Sequence, residues 1–359
     1  MSDPSLFTQI AQWLDQNVLV STVLAGVGAA AMFAFGVAFL VVLVRIIYSV
    51  VGGAGNASNR KIRRASQEPG FSILIGEFGG YNSTAAANMI ESALEAHCSD
   101  FSFGAQFKLF RVRSPGGRPE GEVLSRARHR LEKTGADMIV WGARLTDEAD
   151  GLRIFCVSRG GNLLPRQAKP FTLHLPGRLR AVTEPVKQTV AYLLAKRLQP
   201  ALSHPESFRE ERVAELGATL DQILTDLEAQ ERVLFPQTQR EIETDFSAIT
   251  LFLSETALNE DWLDRVIDRR RATLDDLKGD VDTEAQIDAR LDLGRALIKR
   301  SEKTFDPVSV REASVHLNAA IDALRKHDVI RKAQRASDAL ARAQSLVETR
   351  RRFAVNFSA

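Results

Sequence analysis

The chain has 359 residues, which is long enough for about two domains, each with a core of its own. Its 47 Lys and Arg nearly balance its 45 Asp and Glu, so a net charge of +2 excludes any whole-chain electrostatic argument for a nucleic-acid or strongly acidic partner. The 2 cysteines, Cys98 and Cys156, predict buried or reduced thiols in a reducing compartment, although a single bridge between them stays open.

The amino-terminal region contains the longest apolar run of the chain. Residues 18–44 carry no charged side chain, and about 20 helical residues are enough to span the hydrocarbon core of a bilayer. The basic residues all follow the run and are predicted to contact lipid headgroups: Arg45, Arg60, Lys61, Arg63 and Arg64. By the positive-inside rule, this asymmetry predicts a single-pass protein of the bacterial inner membrane, with a transmembrane helix over residues 18–51, its amino terminus outside and its body in the cytoplasm.

Two further patterns in this region have alternative interpretations. Residues 1–17 space their apolar side chains as a helix does, which predicts an interfacial amphipathic segment with Trp13 in the lipid interface, or a plain extension of the span. Small residues recur every fourth position and would allow two helices to pack closely: Gly26, Ala30, Ala34 and Ala38. The abundance of Ala and Gly in the segment explains this stripe more simply, and self-association stays the alternative.

A basic linker over residues 52–69 is predicted to tether an α/β domain at residues 70–203. Short apolar runs rich in β-branched residues alternate there with amphipathic helical patterns. They predict strands at residues 71–78, 107–113, 137–145, 152–158 and 171–175, and helices at residues 82–97, 120–134 and 179–198. This alternation is typical of a mixed sheet with flanking helices, and the third and fourth strands are predicted to form a hairpin.

The third predicted strand lies in a recognisable passage. The segment GADMIVWGARL, residues 135–145, follows a helix and precedes a turn and a further strand, and the opening strand carries Phe78 near its end. In these features residues 70–200 resemble the TolB-type amino-terminal α/β module. The resemblance implies a binding or assembly domain, and it brings no catalytic residue with it.

Residues 204–359 predict an all-α domain rich in Ala, Leu, Glu and Arg. The first long amphipathic helix, residues 206–235, is predicted to pack on the helices that follow it, with dimerisation as the alternative. A final basic helix over residues 329–352 is predicted to cap the domain. Its end, residues 349–352, is interpreted as a solvated face rather than a contact for lipid or nucleic acid.

Within that domain, residues 287–324 predict two helices joined around Pro307. Their small and apolar positions resemble a tetratricopeptide repeat, although the connection is longer than the tight turn of that family: Leu293, Gly294, Leu297, Ala313, Leu317 and Ala320. The resemblance implies helical hairpins whose stack offers one face to peptides or partner proteins.

Motifs of common active sites are absent from the sequence. The 6 His are scattered, and no CxxC, HExxH, GxGxxG, Walker or GxSxG spacing occurs. We therefore predict no metal, no cofactor and no catalytic residue. The nearest candidate for a ligand site is a Gly-rich turn from a strand into a helix, where free amides can hold an anion: Gly79, Gly80, Asn82 and Ser83. An ordinary strand-to-helix turn explains these residues more simply.

Together these features predict a membrane-anchored, cytoplasmic-facing interaction or scaffold protein that recruits or organises other proteins. Its predicted partners are the lipid bilayer, other proteins and a second copy of the chain, without nucleic acid. One alternative is a small-anion or nucleotide sensor or enzyme that uses the α/β domain. The other is a structural subunit of a membrane homo-oligomer, based on the small-residue stripe and the helix at residues 206–235.

Overall fold

Short runs of apolar and β-branched residues form one five-stranded sheet in the computed structural model of this chain. The strands are β1 (Phe71–Gly76), β2 (Phe107–Val112), β3 (Met138–Arg144), β4 (Leu152–Ser158) and β5 (Lys169–Leu175). Their order is β2-β1-β3-β4-β5. β1 is parallel to β2 and to β3, whereas β4 is antiparallel to β3 and to β5, so the sheet is mixed.

The structure describes residues 58–79, 83–101, 104–144, 152–160, 163–175, 182–230, 236–254, 260–278 and 283–356. Ten α-helices lie in this part of the chain. The first four accompany the sheet: α1 (Asn59–Ala65), α2 (Ser83–His97), α3 (Gly121–Thr134) and α4 (Glu184–Leu198). The last six follow it: α5 (Glu210–Glu228), α6 (Pro236–Leu253), α7 (Glu260–Asp276), α8 (Glu284–Lys303), α9 (Pro307–Lys326) and α10 (Ile330–Asn356).

Alternate residues of each strand point to opposite faces of the sheet, and both faces are covered by helices. On one face, Ile73, Val140 and Cys156 belong to a core that also contains residues of α2 and α4. On the other face, Trp141 and Phe155 belong to a smaller core with residues of α1 and α3. This double cover explains why the central strands are almost continuously apolar in sequence.

Helix α1 lies within the segment that the sequence predicts to be a flexible linker. The Ser58 hydroxyl accepts a hydrogen bond from the Lys61 amide at 3.3 Å and caps the helix. Ile62 is fully buried in the smaller core, whereas Arg60, Arg63 and Arg64 around it are exposed. A single apolar side chain therefore docks this basic segment against the sheet.

Helix α4 is buried on almost every side, with ten of its fifteen residues buried. One side packs on the sheet and the other faces the helices that follow, so the larger core runs without a break from β1 to α10. Buried charges join α4 to α6. The Tyr192 hydroxyl donates to Asp245 at 2.8 Å, and the Lys196 ammonium lies 2.6 Å from the same carboxylate and 2.9 Å from Glu241.

Helices α5 to α10 contact each other in two sets, one of odd-numbered and one of even-numbered helices. α7 is linked by ion pairs to both of its odd-numbered neighbours, through Arg269 to Glu228 of α5 at 2.7 Å and through Arg271 to Glu312 of α9 at 2.7 Å. α8 contacts both of its even-numbered neighbours, α6 and α10. Consecutive helices also pack on each other, so the six helices form a two-layered stack. The odd-numbered helices make one layer and the even-numbered helices the other.

None of the helices in the described ranges is long and apolar enough to cross a membrane. The long ones, such as α8 and α9, alternate charged and apolar residues because each buries only one face, and a charged side chain at the bilayer centre costs about 2.5 to 3.5 kcal/mol.

This finding contradicts the predicted fold class with a transmembrane helix, the description as a single-pass membrane protein and the inner-membrane localisation. The described fold is instead a five-stranded mixed sheet with ten helices. The predicted span, residues 18–51, and the predicted interfacial segment, residues 1–17, lie outside the described residues.

Close packing between α8 and α9 depends on Gly294. A Cβ atom at this position would lie 2.6 Å from Cγ of Leu317 and 3.3 Å from the carbonyl oxygen of Ala313. We expect Gly294→Val to lower the free energy of unfolding by about 2 kcal/mol, because added atoms in a packed core force the two helices apart. Urea denaturation of the full chain measures this change. Ala341→Val on the exposed face of α10 is the matched control. It should lower the free energy of unfolding by only a few tenths as much.

The junction between α4 and α6 predicts a second stability change. Asp245→Ala leaves the Lys196 ammonium and the Tyr192 hydroxyl without the carboxylate that they share. We expect a loss of about 3 kcal/mol, because two buried groups lose the carboxylate that they share and Lys196 keeps only Glu241 as an ionic partner. Glu215→Ala removes the partner of Arg212 in an exposed pair and should cost less than about 1 kcal/mol. Equal losses from the two substitutions would show that the junction does not hold α4 to α6.

Candidate functional site

The even-numbered layer of helices carries a small groove with an apolar floor and a charged rim. We call it the helical groove. Its lining comes from α6, α8 and α10: Leu251, Arg295, Ile298, Lys299, Arg335, Asp338, Ala339 and Arg342. Its volume is about 130 Å³.

Helical periodicity places the rim residues side by side. Arg295 and Lys299 lie one turn apart on α8, and Arg335 and Arg342 lie two turns apart on α10, with Asp338 between them. Arg335, Asp338 and Arg342 are exposed, whereas the two cations of α8 are half-buried. The rim is therefore a row of long polar side chains that solvent can reach.

The floor of the groove is apolar and buried. Leu251 and Ile298 are each 2 % exposed, and Ala339 is 8 % exposed. These side chains belong to the larger core, so the floor is a fixed surface rather than a mobile one. A fixed apolar floor beneath cationic side chains can accept the methylene part of an acidic residue while the rim contacts its carboxylate.

The charge of the rim is strongly asymmetric. Four of the lining side chains are cationic and one is a carboxylate. Lys299 also lies 3.2 Å from the Glu302 carboxylate, which offsets part of the positive charge at one end. Asp338 is held by the amide of Gln334 at 2.9 Å on its own helix. The groove therefore presents a net positive potential to an approaching partner.

A buried charge network joins α6 and α8, two of the three helices that form the groove, to α7. The Arg270 side chain on α7 is 2 % exposed. It donates to Asp292 on α8 at 2.9 Å and to the Ser247 hydroxyl on α6 at 3.1 Å. Burial raises the pKa of the Asp292 carboxyl, and the positive charge of Arg270 opposes that rise. One guanidinium thus joins three helices in a single register.

The residues of the predicted anion site are not assembled into a described site. The Gly79 amide, which an anion would need, donates to the carbonyl oxygen of Gly142 at 2.8 Å. Ser83 begins α2, and Gly80 and Asn82 lie outside the described residues. The anion site at this turn stays a prediction.

The other predicted site residues fall into two groups. Arg60, Lys61, Arg63 and Arg64 are exposed on α1, on the side of the helix away from Ile62. The remaining ones lie outside the described ranges: Trp13, Arg45, Gly26, Ala30, Ala34 and Ala38. The four basic residues of α1 are not among the described residues that line the helical groove.

Both thiols are inert in their surroundings. Cys98 and Cys156 are free and buried, which confirms the prediction of buried thiols. Burial raises the pKa of Cys98 to about 12 and raises that of Cys156 as well, so neither is a nucleophilic thiolate at neutral pH. Among the described residues, no group of three or more His, Cys, Asp or Glu side chains is arranged to hold a metal ion.

No family model, curated protein or solved structure matches this chain. The resemblances to the TolB-type module and to the tetratricopeptide repeat stay predictions. The chemistry of the groove residues is therefore the basis for a functional proposal.

The sequence contained part of the signal for the helical groove. The spacing of Arg335 and Arg342 on a basic helix was visible, but it is equally typical of a solvated face. Arg295 and Lys299 lie about forty residues earlier in the chain, and only the packing of α8 beside α10 brings the two pairs together.

The network beneath the groove can be tested separately from binding. Asp292→Ala removes the carboxylate that faces the buried Arg270 guanidinium, and we expect it to lower the free energy of unfolding by about 3 kcal/mol. Replacing both partners, Arg270→Met with Asp292→Leu, should recover only part of that loss, because the buried Glu243 carboxylate, 3.9 Å from Arg270, loses its cation. Urea denaturation measures both variants. Asp264→Ala, in the half-exposed pair with Arg300, is the control and should cost less than about 1 kcal/mol.

Proposed function

We propose that this chain is an interaction protein that binds an acidic, extended segment of a partner protein in the helical groove. The observation that carries the proposal is the charge of the rim, where four cationic side chains from α8 and α10 face one carboxylate. Carboxylate side chains are the natural counterpart of such a row, because Arg binds them through two parallel hydrogen bonds.

The size of the groove favours a peptide over a metabolite. Sites for small molecules usually enclose about 300 to 1,000 Å³, whereas this cavity has a volume of about 130 Å³. That space suits one side chain at a time. A chain segment that lies across the rim can insert a single side chain and place its neighbours against the remaining cations.

The position of the groove also supports a binding role. It lies on the even-numbered layer, in which a buried guanidinium holds α6 and α8 in place. A binding surface gains affinity when its side chains are held in position before the partner arrives. The tetratricopeptide resemblance of residues 287–324 implies a peptide-binding face on the same kind of helical hairpin, and this is consistent with the proposal.

A direct test uses the full chain and a short fluorescein-labelled peptide of alternating Glu and Ala. We expect fluorescence anisotropy to show binding that weakens as salt is added, because the contacts are between exposed charges. The double variant Arg335→Glu, Arg342→Glu should raise Kd by at least about tenfold, since it turns two attractions into repulsions.

Two controls separate a specific groove from general positive charge. Arg311→Glu with Arg325→Glu changes the net charge by the same amount on α9, at exposed positions outside the groove lining. This variant should bind the Glu peptide as the parent does. A peptide of alternating Lys and Ala should not bind at all. If the α9 variant loses as much affinity as the α10 variant, the proposal is wrong.

A further inference from the structure

The β4–β5 hairpin forms a second groove that is larger and is lined by different elements. We call it the hairpin groove. Its lining comes from the two strands and from the residues just before α3: Arg118, Pro119, Glu120, Arg153, Phe155, Pro170, Phe171, Thr172 and His174. Its volume is about 480 Å³, which falls within the usual range for sites that hold small molecules.

Sheet register determines which side chains share the groove. Arg153 lies directly opposite His174, and Phe155 lies directly opposite Thr172. Residues opposite each other project to the same face of the sheet with Cβ atoms about 5 Å apart. This face is covered by α1 and α3 as far as Phe155, which is buried in the smaller core. The groove begins where that cover ends.

One wall of the groove is the loop just before α3, which is held by a hydrogen bond from the sheet. The Trp141 indole, buried in the smaller core, donates to the carbonyl oxygen of Gly117 at 2.8 Å. This hydrogen bond holds the loop beside the sheet, and Arg118 follows directly and is exposed. The wall therefore presents a second guanidinium opposite the one on β4.

Charge and hydrogen bonding in the groove both indicate an anionic ligand. Two Arg and one His line it, whereas Glu120 is the one carboxylate among the lining residues. The Nε atom of Arg153 is buried and has no hydrogen-bond partner. A buried donor without a partner is unfavourable, and a small shift of the Arg153 side chain toward a bound oxyanion would remove that cost.

We propose that the hairpin groove binds the oxyanion group of a small molecule, a phosphate or a carboxylate, through Arg153 and Arg118. Arg153 supplies a guanidinium on a fixed strand position. Arg118 closes on the ligand from the loop, where its exposed side chain is able to move. Thr172, opposite Phe155, adds a hydroxyl that donates to or accepts from a polar atom of the ligand. The site is separate from the helical groove and shares no residue with it.

Isothermal titration calorimetry of the full chain with pyrophosphate and with citrate, at matched ionic strength, tests this site and distinguishes phosphate from carboxylate. We expect at least one of the two probes to bind with a Kd below about 1 mM. Arg153→Met keeps the aliphatic stem and removes the donors, so it should raise that Kd by at least about tenfold. Arg118→Met should raise the same Kd several-fold. Because Arg118 is exposed on a loop, we expect this substitution to leave folding unchanged.

Arg166→Met is the matched control, because Arg166 lies on the connection between β4 and β5, is 85 % exposed and is outside the groove. It should leave the Kd of either probe unchanged. The site is refuted if neither probe binds, or if Arg166→Met weakens binding as much as Arg153→Met and Arg118→Met do. The Arg335→Glu, Arg342→Glu variant of the helical groove should retain the probe, and Arg153→Met should retain the Glu peptide, so failure of one site is distinguishable from failure of the other.

Discussion

Burial of α4 on both of its sides is the constraint on which the rest of the fold depends. A helix with ten buried residues out of fifteen leaves little surface for solvent, so the sheet and the helical stack must both pack on it. The larger core is continuous for that reason. Apolar packing alone would allow α4 to rotate or slide. The Lys196 and Tyr192 contacts with Asp245 remove that freedom, because only one register pairs these groups.

A second buried charge repeats this arrangement inside the stack and places the candidate site. Arg270 contacts Ser247 of α6 and Asp292 of α8 from its position on α7. These contacts therefore fix α6, α7 and α8 relative to each other. Arg295 lies one turn beyond Asp292 on the same helix, so the buried network and the proposed binding surface share α8.

The sequence predicted the strands and helices of the sheet region well because their patterns are local. The predicted strand at residues 107–113 is Phe107–Val112, and the predicted helix at residues 120–134 is Gly121–Thr134. Features that depend on distant residues were missed. Helix α1 was not predicted, because one buried residue, Ile62, determines the position of an otherwise basic segment. The burial of Arg270 was not predicted, because a charged residue on an amphipathic helix is normally exposed to solvent.

The two grooves illustrate why the site chemistry was harder to predict than the fold. In the helical groove, i, i+4 and i, i+7 spacings are local, but the pairing of α8 with α10 is not. In the hairpin groove, Arg153 and His174 are opposed only because β4 and β5 pair in one register, and a shift of one residue would turn every side chain to the other face. Size then distinguishes the ligands that we propose for them. A cavity of about 130 Å³ is large enough for one side chain, whereas one of about 480 Å³ is within the usual range for small-molecule sites. Two positively charged surfaces on one chain therefore need not compete for the same acidic partner.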